Sequence, residues 1–148
     1  MLGLRIFKSL LVLLIGLTAT TYAIANLKGV GAMRQQIQDS PVAVNAAASW
    51  TAFGLVTLCH AGLAATAFKG AYDLFAARHG SPDAFKQAKT VAVWAGGLSL
   101  ISWFILSLAG GAGLFQLGTD GGEAALGRAF ALGTTGALTI LFVWGTTD

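Results

Sequence analysis

The residue whose type and position best suit chemistry is His60, which lies inside Trp50–Phe68, a stretch without charged side chains. An ionisable group in such a stretch is a functional candidate, because burying it in an apolar region is costly. A neutral imidazole could ligate the metal of a haem or chlorophyll-type pigment, or it could contact a quinone. The other histidine, His79, falls in a polar segment, so the chain has no bis-histidine pair for a haem. An interhelical hydrogen bond is the simpler interpretation of His60, and both interpretations stay open here.

The other residue types that carry chemistry are sparse. Cys59 is the only cysteine, so no intramolecular disulfide can form, and we expect a buried, inert thiol in an apolar helix. All six acidic residues fall outside the apolar stretches: Asp39, Asp73, Asp83, Asp120, Glu123 and Asp148. The sequence therefore predicts no catalytic residue, no enzyme and no metal site. It predicts no specific cofactor either, and a haem, a pigment, a quinone or a structural lipid all remain open.

Four apolar stretches of membrane-spanning length must position these residues: Ser9–Leu27, Trp50–Phe68, Val91–Ala109 and Leu126–Trp144. Each would form a helix of about 28 Å, close to the hydrocarbon thickness of a bilayer. Hydrophobic residues make up 55% of the chain and charged residues 10%, and the mean hydropathy is +0.72. These features predict an all-α fold, an integral membrane four-helix bundle in one domain, 1–148. An external loop at 28–49 and a cytoplasmic loop at 69–90 would connect the spans.

The first stretch also has the features of a secretory signal peptide. Arg5 and Lys8 precede a leucine-rich run, and Ala23-Ile24-Ala25 has the form of a cleavage site. Three further spans follow, which suits an integral protein better than a secreted one. We therefore expect the first span to be retained.

The distribution of basic residues predicts the orientation. Six lie at the N-terminus and in the loop between the second and third spans: Arg5, Lys8, Lys69, Arg78, Lys86 and Lys89. Three lie on the opposite side: Lys28, Arg34 and Arg128. The more basic side is expected to face the cytoplasm, which places both termini inside a bacterial inner membrane. The pI of about 9.4 then reflects topology and attraction to anionic lipid rather than a nucleic-acid surface.

Local signals mark two helix starts and one ion pair. Ser81 and Pro82 predict an N-cap and a first helical residue, so the third helix should begin there. Asp120 and Glu123 have the spacing of a capping box for the fourth helix. Lys69 lies four residues before Asp73, a separation that favours an ion pair on one helix face.

Small residues recur at intervals of four in two of the spans. The second span has Gly62, Thr66 and Gly70, and the fourth has Ala125, Ala129, Gly133 and Ala137. Membrane helices associate by close backbone approach at such positions, so we predict that these residues pack helices together. The ridges could close a bundle within this chain or receive a helix from another protein.

The order of several motifs resembles the bacterial "predicted small integral membrane protein" family, a group of four-span proteins of unknown function. The resemblance runs through Asn26-Leu27, Asp39, Trp50 with His60, Phe85–Lys89 (FKQAK), Trp103, Gly110–Phe115 (GGAGLF) and Ala124–Arg128 (AALGR). The family usually has a Gly-Glu-Trp-Phe-like run near the end of the third span, whereas Gly111–Phe115 lacks the acid and the tryptophan. The resemblance implies a four-span fold and no particular activity.

These features support three hypotheses about function. The first is an accessory or structural subunit of a larger inner-membrane complex, respiratory or photosynthetic, with the lipid bilayer and other membrane subunits as its partners. The second is a cofactor-bearing subunit that binds a haem or chlorophyll-type group through His60. The third, a small transporter or channel, is disfavoured because no carboxylate lies at depth. The sequence shows no signal for binding a nucleic acid or a soluble substrate. If a soluble partner docks, the external loop at 28–49 is the best candidate for its binding site.

Overall fold

In a computed structural model, the backbone is described for residues 1–32, 35, 46–109 and 120–146, with all side chains except those of 46, 48, 49, 52, 104–109 and 120–126. All regular structure within these residues is helical. The long helices are α1 (Leu2–Lys28), α2 (Ala46–Ala76), α3 (Pro82–Ala109) and α4 (Asp120–Gly145), and a short 3₁₀ helix, Ala77–His79, follows α2. The prediction of an all-α fold is confirmed for this part of the chain.

Several predicted features lie outside the described residues. Most of the external loop at 28–49 is among them, and so is the glycine-rich run at 110–115. The side chains of Asp120, Glu123 and Ala125 also lie outside. The capping box and the first step of the ridge in α4 therefore stay predictions.

The starts of α3 and α1 show where local signals suffice and where they do not. Helix α3 begins at Pro82 as predicted, and the hydroxyl of Ser81 accepts a hydrogen bond from the amide of Ala84 at 3.2 Å. Helix α1 begins at Leu2, well before Ser9, because nothing in its first residues breaks a helix. Arg5 and Lys8 are therefore part of the helix, and both are buried.

Helices that are adjacent in sequence make the most extensive contacts. Helix α1 packs along α2, α2 along α3 and α3 along α4, whereas α1 meets α3 and α4 over shorter stretches. Phe7 of α1 contacts Phe142 of α4 edge to face, with ring centroids 5.8 Å apart. The start of α1 thus lies beside the end of α4, so the four helices alternate in direction, and both of these helix ends lie near the segment that joins α2 to α3.

Glycines in the interior let the helices approach closely. A Cβ atom added at Gly70 of α2 would lie 2.8 Å from the Cα of Ala92 in α3, so only glycine fits there. Between α3 and α4 the contacts are reciprocal. Gly96 receives the side chain of Ile140, while a Cβ added at Gly136 would lie 2.5 Å from the Oγ of Ser99. In both places a side chain of one helix lies directly against a glycine of the other, which brings the two helices close together.

The outer surface carries the large apolar side chains. Exposed examples occur on every long helix: Leu10, Leu14, Leu17, Leu55, Leu58, Phe75, Trp94, Ile101, Phe130, Leu138, Leu141 and Trp144. Among the described residues, α1 and Gly127–Gly145 of α4 are long and apolar enough to cross a membrane, by length and composition. Only 22% of each apolar window is buried inside the protein, whereas the core helix of a soluble protein is mostly buried.

Candidate functional site

His60 lies on the inward face of α2, and its side chain is only 3% exposed. The buried residues Leu63, Ala64 and Ala67 follow it at the spacing of one helix face. Leu63 and Ala64 pack with Ala19 of α1 in a small apolar cluster. The helix therefore carries the imidazole into the contact between α1 and α2, as expected for a histidine in an apolar stretch.

The imidazole is held by one interhelical hydrogen bond. The side-chain nitrogen Nδ2 of Asn26, near the end of α1, lies 3.3 Å from Nδ1 of His60. An amide nitrogen only donates, so in this arrangement Nδ1 accepts and the proton of the neutral ring is on Nε2. The predicted interhelical hydrogen bond is present, and it selects one tautomer of the ring.

Two aromatic rings from other helices contact His60 and fix its plane. Tyr22 of α1 stacks on it with centroids 5.6 Å apart and an interplanar angle of 28°. Trp103 of α3 contacts it at 4.7 Å with an angle of 48°, and the Tyr22 and Trp103 rings also meet edge to face at 4.7 Å. The three rings thus join three helices at one point of the bundle, and we call them the His60 cluster.

The second ring nitrogen of His60, Nε2, is buried and has no hydrogen-bond partner among the described residues. A buried donor left unpaired costs about 1–3 kcal/mol, so such a group usually has an acceptor. A protonated Nε2 suits a carbonyl oxygen as its partner. Metal ligation would need this nitrogen unprotonated, which requires the amide of Asn26 to turn over so that its oxygen accepts from Nδ1.

Cys59, one residue before His60, points the other way. Its side chain is exposed on the outer face of α2, so the expectation of a buried thiol is wrong. The reason is geometric, because successive residues of an α-helix are rotated by about 100°. Across the described part of the chain no group of three or more His, Cys, Asp or Glu residues could hold a metal ion.

The predicted ridge in α2 contributes only its last member to a tight helix contact. Gly70 is buried against the backbone of Ala92, as described above. Gly62 is exposed, with no described atom within 4 Å of a Cβ added there, and the half-buried Thr66 bonds its hydroxyl to the carbonyl of Gly62 at 2.7 Å. Gly62 therefore contacts no other helix within the described residues, because the contact face runs through Leu63, Ala67 and Gly70 instead. Packing of Gly62 against a helix of another protein stays a prediction.

Helix α4 contacts α3 through Gly133, which belongs to the predicted ridge, and through Gly136, which the prediction missed. A Cβ added at Gly133 would lie 3.5 Å from the Cβ of Trp103, an ordinary contact. Ala129 and Ala137 are half-buried. The tighter approach occurs at Gly136, three residues after Gly133, which the search at intervals of four passed over. A search for small residues at intervals of both three and four would have found it.

Three buried cations gather where the start of α1 meets the end of α4, and we call them the cation cluster: Arg5, Lys8 and Lys89. Nη1 of Arg5 donates to the carbonyls of Gly80 at 2.7 Å and Arg78 at 3.3 Å. Nζ of Lys8 and Nζ of Lys89 donate to the carbonyl of Thr146, at 3.0 Å and 3.3 Å. The charges therefore sit against backbone carbonyls that follow the C-terminal ends of two helices, where the helix dipole favours cations.

The ring of Phe85 lies between these charges. The guanidinium carbon of Arg5 is 4.7 Å from its centroid, and the ammonium nitrogens of Lys8 and Lys89 are each 5.8 Å away. The negative face of an aromatic ring attracts cations at such distances. Outside this cluster, Lys69 pairs with Asp73 as predicted, with Nζ 2.6 Å from Oδ2.

Comparison with known proteins adds no relative to this picture: no family model matches the chain, and no match is found among curated proteins or solved structures.

Proposed function

We propose that the chain is a four-span integral protein of a bacterial inner membrane and that α1 to α4 each cross the bilayer. Support comes from the distribution of side chains. Many large apolar side chains, among them Leu, Phe and Trp, are exposed on the outside, while the interior holds Ala, Gly and Ser, a few large apolar residues, His60 and three cations. Exposing these apolar side chains to water would be unfavourable in free energy, whereas exposing them to lipid would not. Membership of the "predicted small integral membrane protein" family is part of the same proposal.

The cation cluster supports retention of α1 and suggests the orientation. Arg5 and Lys8 of α1 bond to Gly80 and Thr146, so α1 is tied to the ends of the other helices. A cleaved signal peptide would leave those contacts unmade. Because basic residues favour the cytoplasmic side, this end of the bundle would face the cytoplasm.

Within the membrane, we assign the protein the role of an accessory subunit that packs against other membrane proteins. The observation that carries this assignment is a shallow cleft of about 100 Å³ where α1, α3 and α4 meet. Leucines and small or hydroxyl residues line it, including Thr18, Ser99, Thr135, Gly136 and Thr139. Small and hydroxyl side chains are the ones that membrane helices use to contact each other. A side chain from a neighbouring subunit fits this cleft.

Two adjacent threonines allow a matched test of that assignment. Thr135 lines the cleft and Thr134 does not, although both are exposed on α4. After mild detergent extraction of native membranes, we expect the wild type and Thr134→Trp to run as a larger complex on native gels, with partner subunits identified by mass spectrometry. Thr135→Trp should release the free chain. If the wild-type protein migrates only as the free chain, the proposal of an accessory subunit is wrong.

A second candidate function, a cofactor-bearing subunit, is favoured by one observation: the buried Nε2 of His60 has no hydrogen-bond partner in the part of the chain that the structure describes. With the proton on Nε2, the ligand would be a lipid-soluble carbonyl compound such as a quinone. With the amide of Asn26 turned over, it would be the metal of a haem or chlorophyll-type group. Organic extraction and visible spectra of the purified protein separate these cases. A colourless preparation without quinone, with the same spectrum and extract for the wild type and His60→Ala, would contradict both the quinone and the metal-ligand hypotheses.

A further inference from the structure

Asn26 forms the hydrogen bond that links α1 to His60, and it lies two residues before the end of that helix at Lys28. Its side chain is half-buried, whereas the side chain of Leu27 is 63% exposed. Burying an amide in an apolar region is costly unless the amide is hydrogen-bonded. The bond to His60 meets this requirement, so the two residues act as one polar unit inside the apolar bundle.

The amide of Asn26 presents its nitrogen to the imidazole. Nδ2 only donates, so Nδ1 of His60 accepts, and the proton of the neutral ring stays on Nε2. A histidine that binds a metal usually has the reverse arrangement, in which the nitrogen that does not touch the metal donates to a carboxylate or a carbonyl oxygen. The pair as it stands in the structure therefore offers a hydrogen-bond donor at Nε2 and no lone pair for a metal ion.

Among the described residues, none pairs with the donor at Nε2, although this nitrogen is buried. Leu63 and Ala64, one helical turn after His60, are apolar, and the indole of Trp103 can only donate. Buried donors in proteins are nearly always paired. The donor at Nε2 therefore indicates an acceptor that a ligand would bring.

The depth of the His60 cluster limits which molecules could bring that acceptor. Trp103 lies six residues before the end of α3 at Ala109, which corresponds to about 9 Å along the helix axis. If the helices cross the bilayer as proposed, the cluster lies below the external surface, within the hydrocarbon layer. A molecule that reaches it must dissolve in lipid. Carbonyl oxygens are acceptors that such molecules carry, in the ring of a quinone or in the ester groups of a phospholipid.

We infer that Asn26 determines the ligand class of the His60 cluster: it keeps the proton on Nε2, and the cluster binds the carbonyl oxygen of a lipid-soluble molecule rather than a metal. The inference rests on the second candidate function, a cofactor-bearing subunit, and it makes Asn26 a positioning residue that acts through His60. A carboxylate at position 26 would accept from Nδ1 and move the proton off Nε2. Asn26→Asp should therefore change the ligand class while leaving the histidine in place.

Nitrogen-15 NMR of the full chain in lipid-free detergent micelles, with labelled histidine, reports the tautomer directly. The chain has two histidines, His60 and His79, so His79→Gln assigns the signals of His60. At about pH 9, where imidazole is neutral and an aspartate is ionised, we expect the wild type to carry the proton on Nε2 and Asn26→Asp to carry it on Nδ1. The signals of His79 serve as the control and should be the same in both proteins. A wild-type proton on Nδ1, or the same tautomer of His60 in both proteins, would overturn the inference.

Decylubiquinone and phosphatidylcholine, added separately to the same micelles, identify the source of the carbonyl. The compound that binds should shift the Nε2 signal of the wild type, and Asn26→Asp should bind it about tenfold more weakly, because Nε2 no longer donates. Hemin should give no histidine-ligated Soret band with the wild type. Such a band, if lost in His60→Ala, would overturn the inference and leave the cofactor-bearing function standing. The expected tautomer without a response to either carbonyl compound would contradict the cofactor-bearing function itself, and with it the ligand class assigned here.

Discussion

Replacing Gly70 by alanine should separate α2 from α3 and destabilise the bundle. The added Cβ would lie 2.8 Å from both Cα and N of Ala92, which are backbone atoms that cannot turn away. Favourable carbon contacts lie at about 3.5–4.0 Å, so the helices must move apart by roughly 0.7 Å or more. A gap of that size forfeits about a quarter to a half of each dispersion contact along the seam.

We therefore expect Gly70→Ala to lower the free energy of unfolding by about 1–3 kcal/mol, the usual cost of overpacking. The gain in helix propensity, about 1 kcal/mol, offsets part of the strain. The assay is thermal unfolding in mild detergent, followed by circular dichroism, where the loss should appear as a decrease in Tm of a few degrees.

Gly62→Ala is the matched control, since it makes the same change eight residues earlier on α2, at an exposed position with no described atom within 4 Å of the new Cβ. Its Tm should stay equal to that of the wild type or rise slightly. If Gly70→Ala is as stable as Gly62→Ala, the close approach of α2 and α3 described above is incorrect.

Four further predictions address separate contacts. Gly136→Ala should lower the thermal stability of the protein, because the added Cβ meets the side chain of Ser99. Adding Ser99→Gly should restore much of the lost stability. Equal losses of stability in the single and the double variant would contradict the contact. Arg5→Ala should lower the free energy of unfolding, measured by chemical denaturation, by about 1–3 kcal/mol, since it removes the hydrogen bond from Arg5 to the carbonyl of Gly80. Lys69→Ala, which removes an exposed ion pair, should lower it by about 1 kcal/mol or less. Asn26→Leu should lower Tm, while the reverse change at the exposed Leu27, Leu27→Asn, should not, because Asn26 is the residue that bonds to His60 within the described part of the chain. Identical melting curves for the two variants would contradict that hydrogen bond. Cys59 in intact membranes should react with a lipid-soluble maleimide and resist a membrane-impermeant one, and rapid labelling by the impermeant reagent would place this face of α2 in water.

The sequence was sufficient to predict that the chain is helical and that α3 starts at Pro82, because apolar run length and a Ser-Pro cap are local signals. It did not reveal which face of α2 points inward, since apolar residues occur all round that helix. Counting from His60, the histidine of the apolar stretch Trp50–Phe68, identifies the inward face through Leu63, Ala67 and Leu74. The same count places Gly62 on the outer face, which the spacing of small residues alone did not reveal.

The cation cluster could not be predicted from local sequence. Lys8 and Lys89 lie far apart in the chain and meet at the carbonyl of Thr146 only because alternating helices bring their ends together. A lysine next to an apolar run is ordinarily expected in water, since burying its charge is costly. Here carbonyls at helix ends and the ring of Phe85 compensate for that cost. Partners of this kind depend on the tertiary fold, as does the bond from Asn26 to His60.

Cysteine accessibility in oriented membrane vesicles tests most directly whether α1 and α2 cross the bilayer in opposite directions, as a bundle of four alternating spans requires. In a Cys59→Ser background, single cysteines would be introduced by Gly3→Cys, Ala84→Cys and Gln35→Cys, all at exposed positions. An impermeant maleimide should label positions 3 and 84 only from the cytoplasmic face and position 35 only from the opposite face. Labelling of all three positions from the same face would contradict a bundle of four alternating spans.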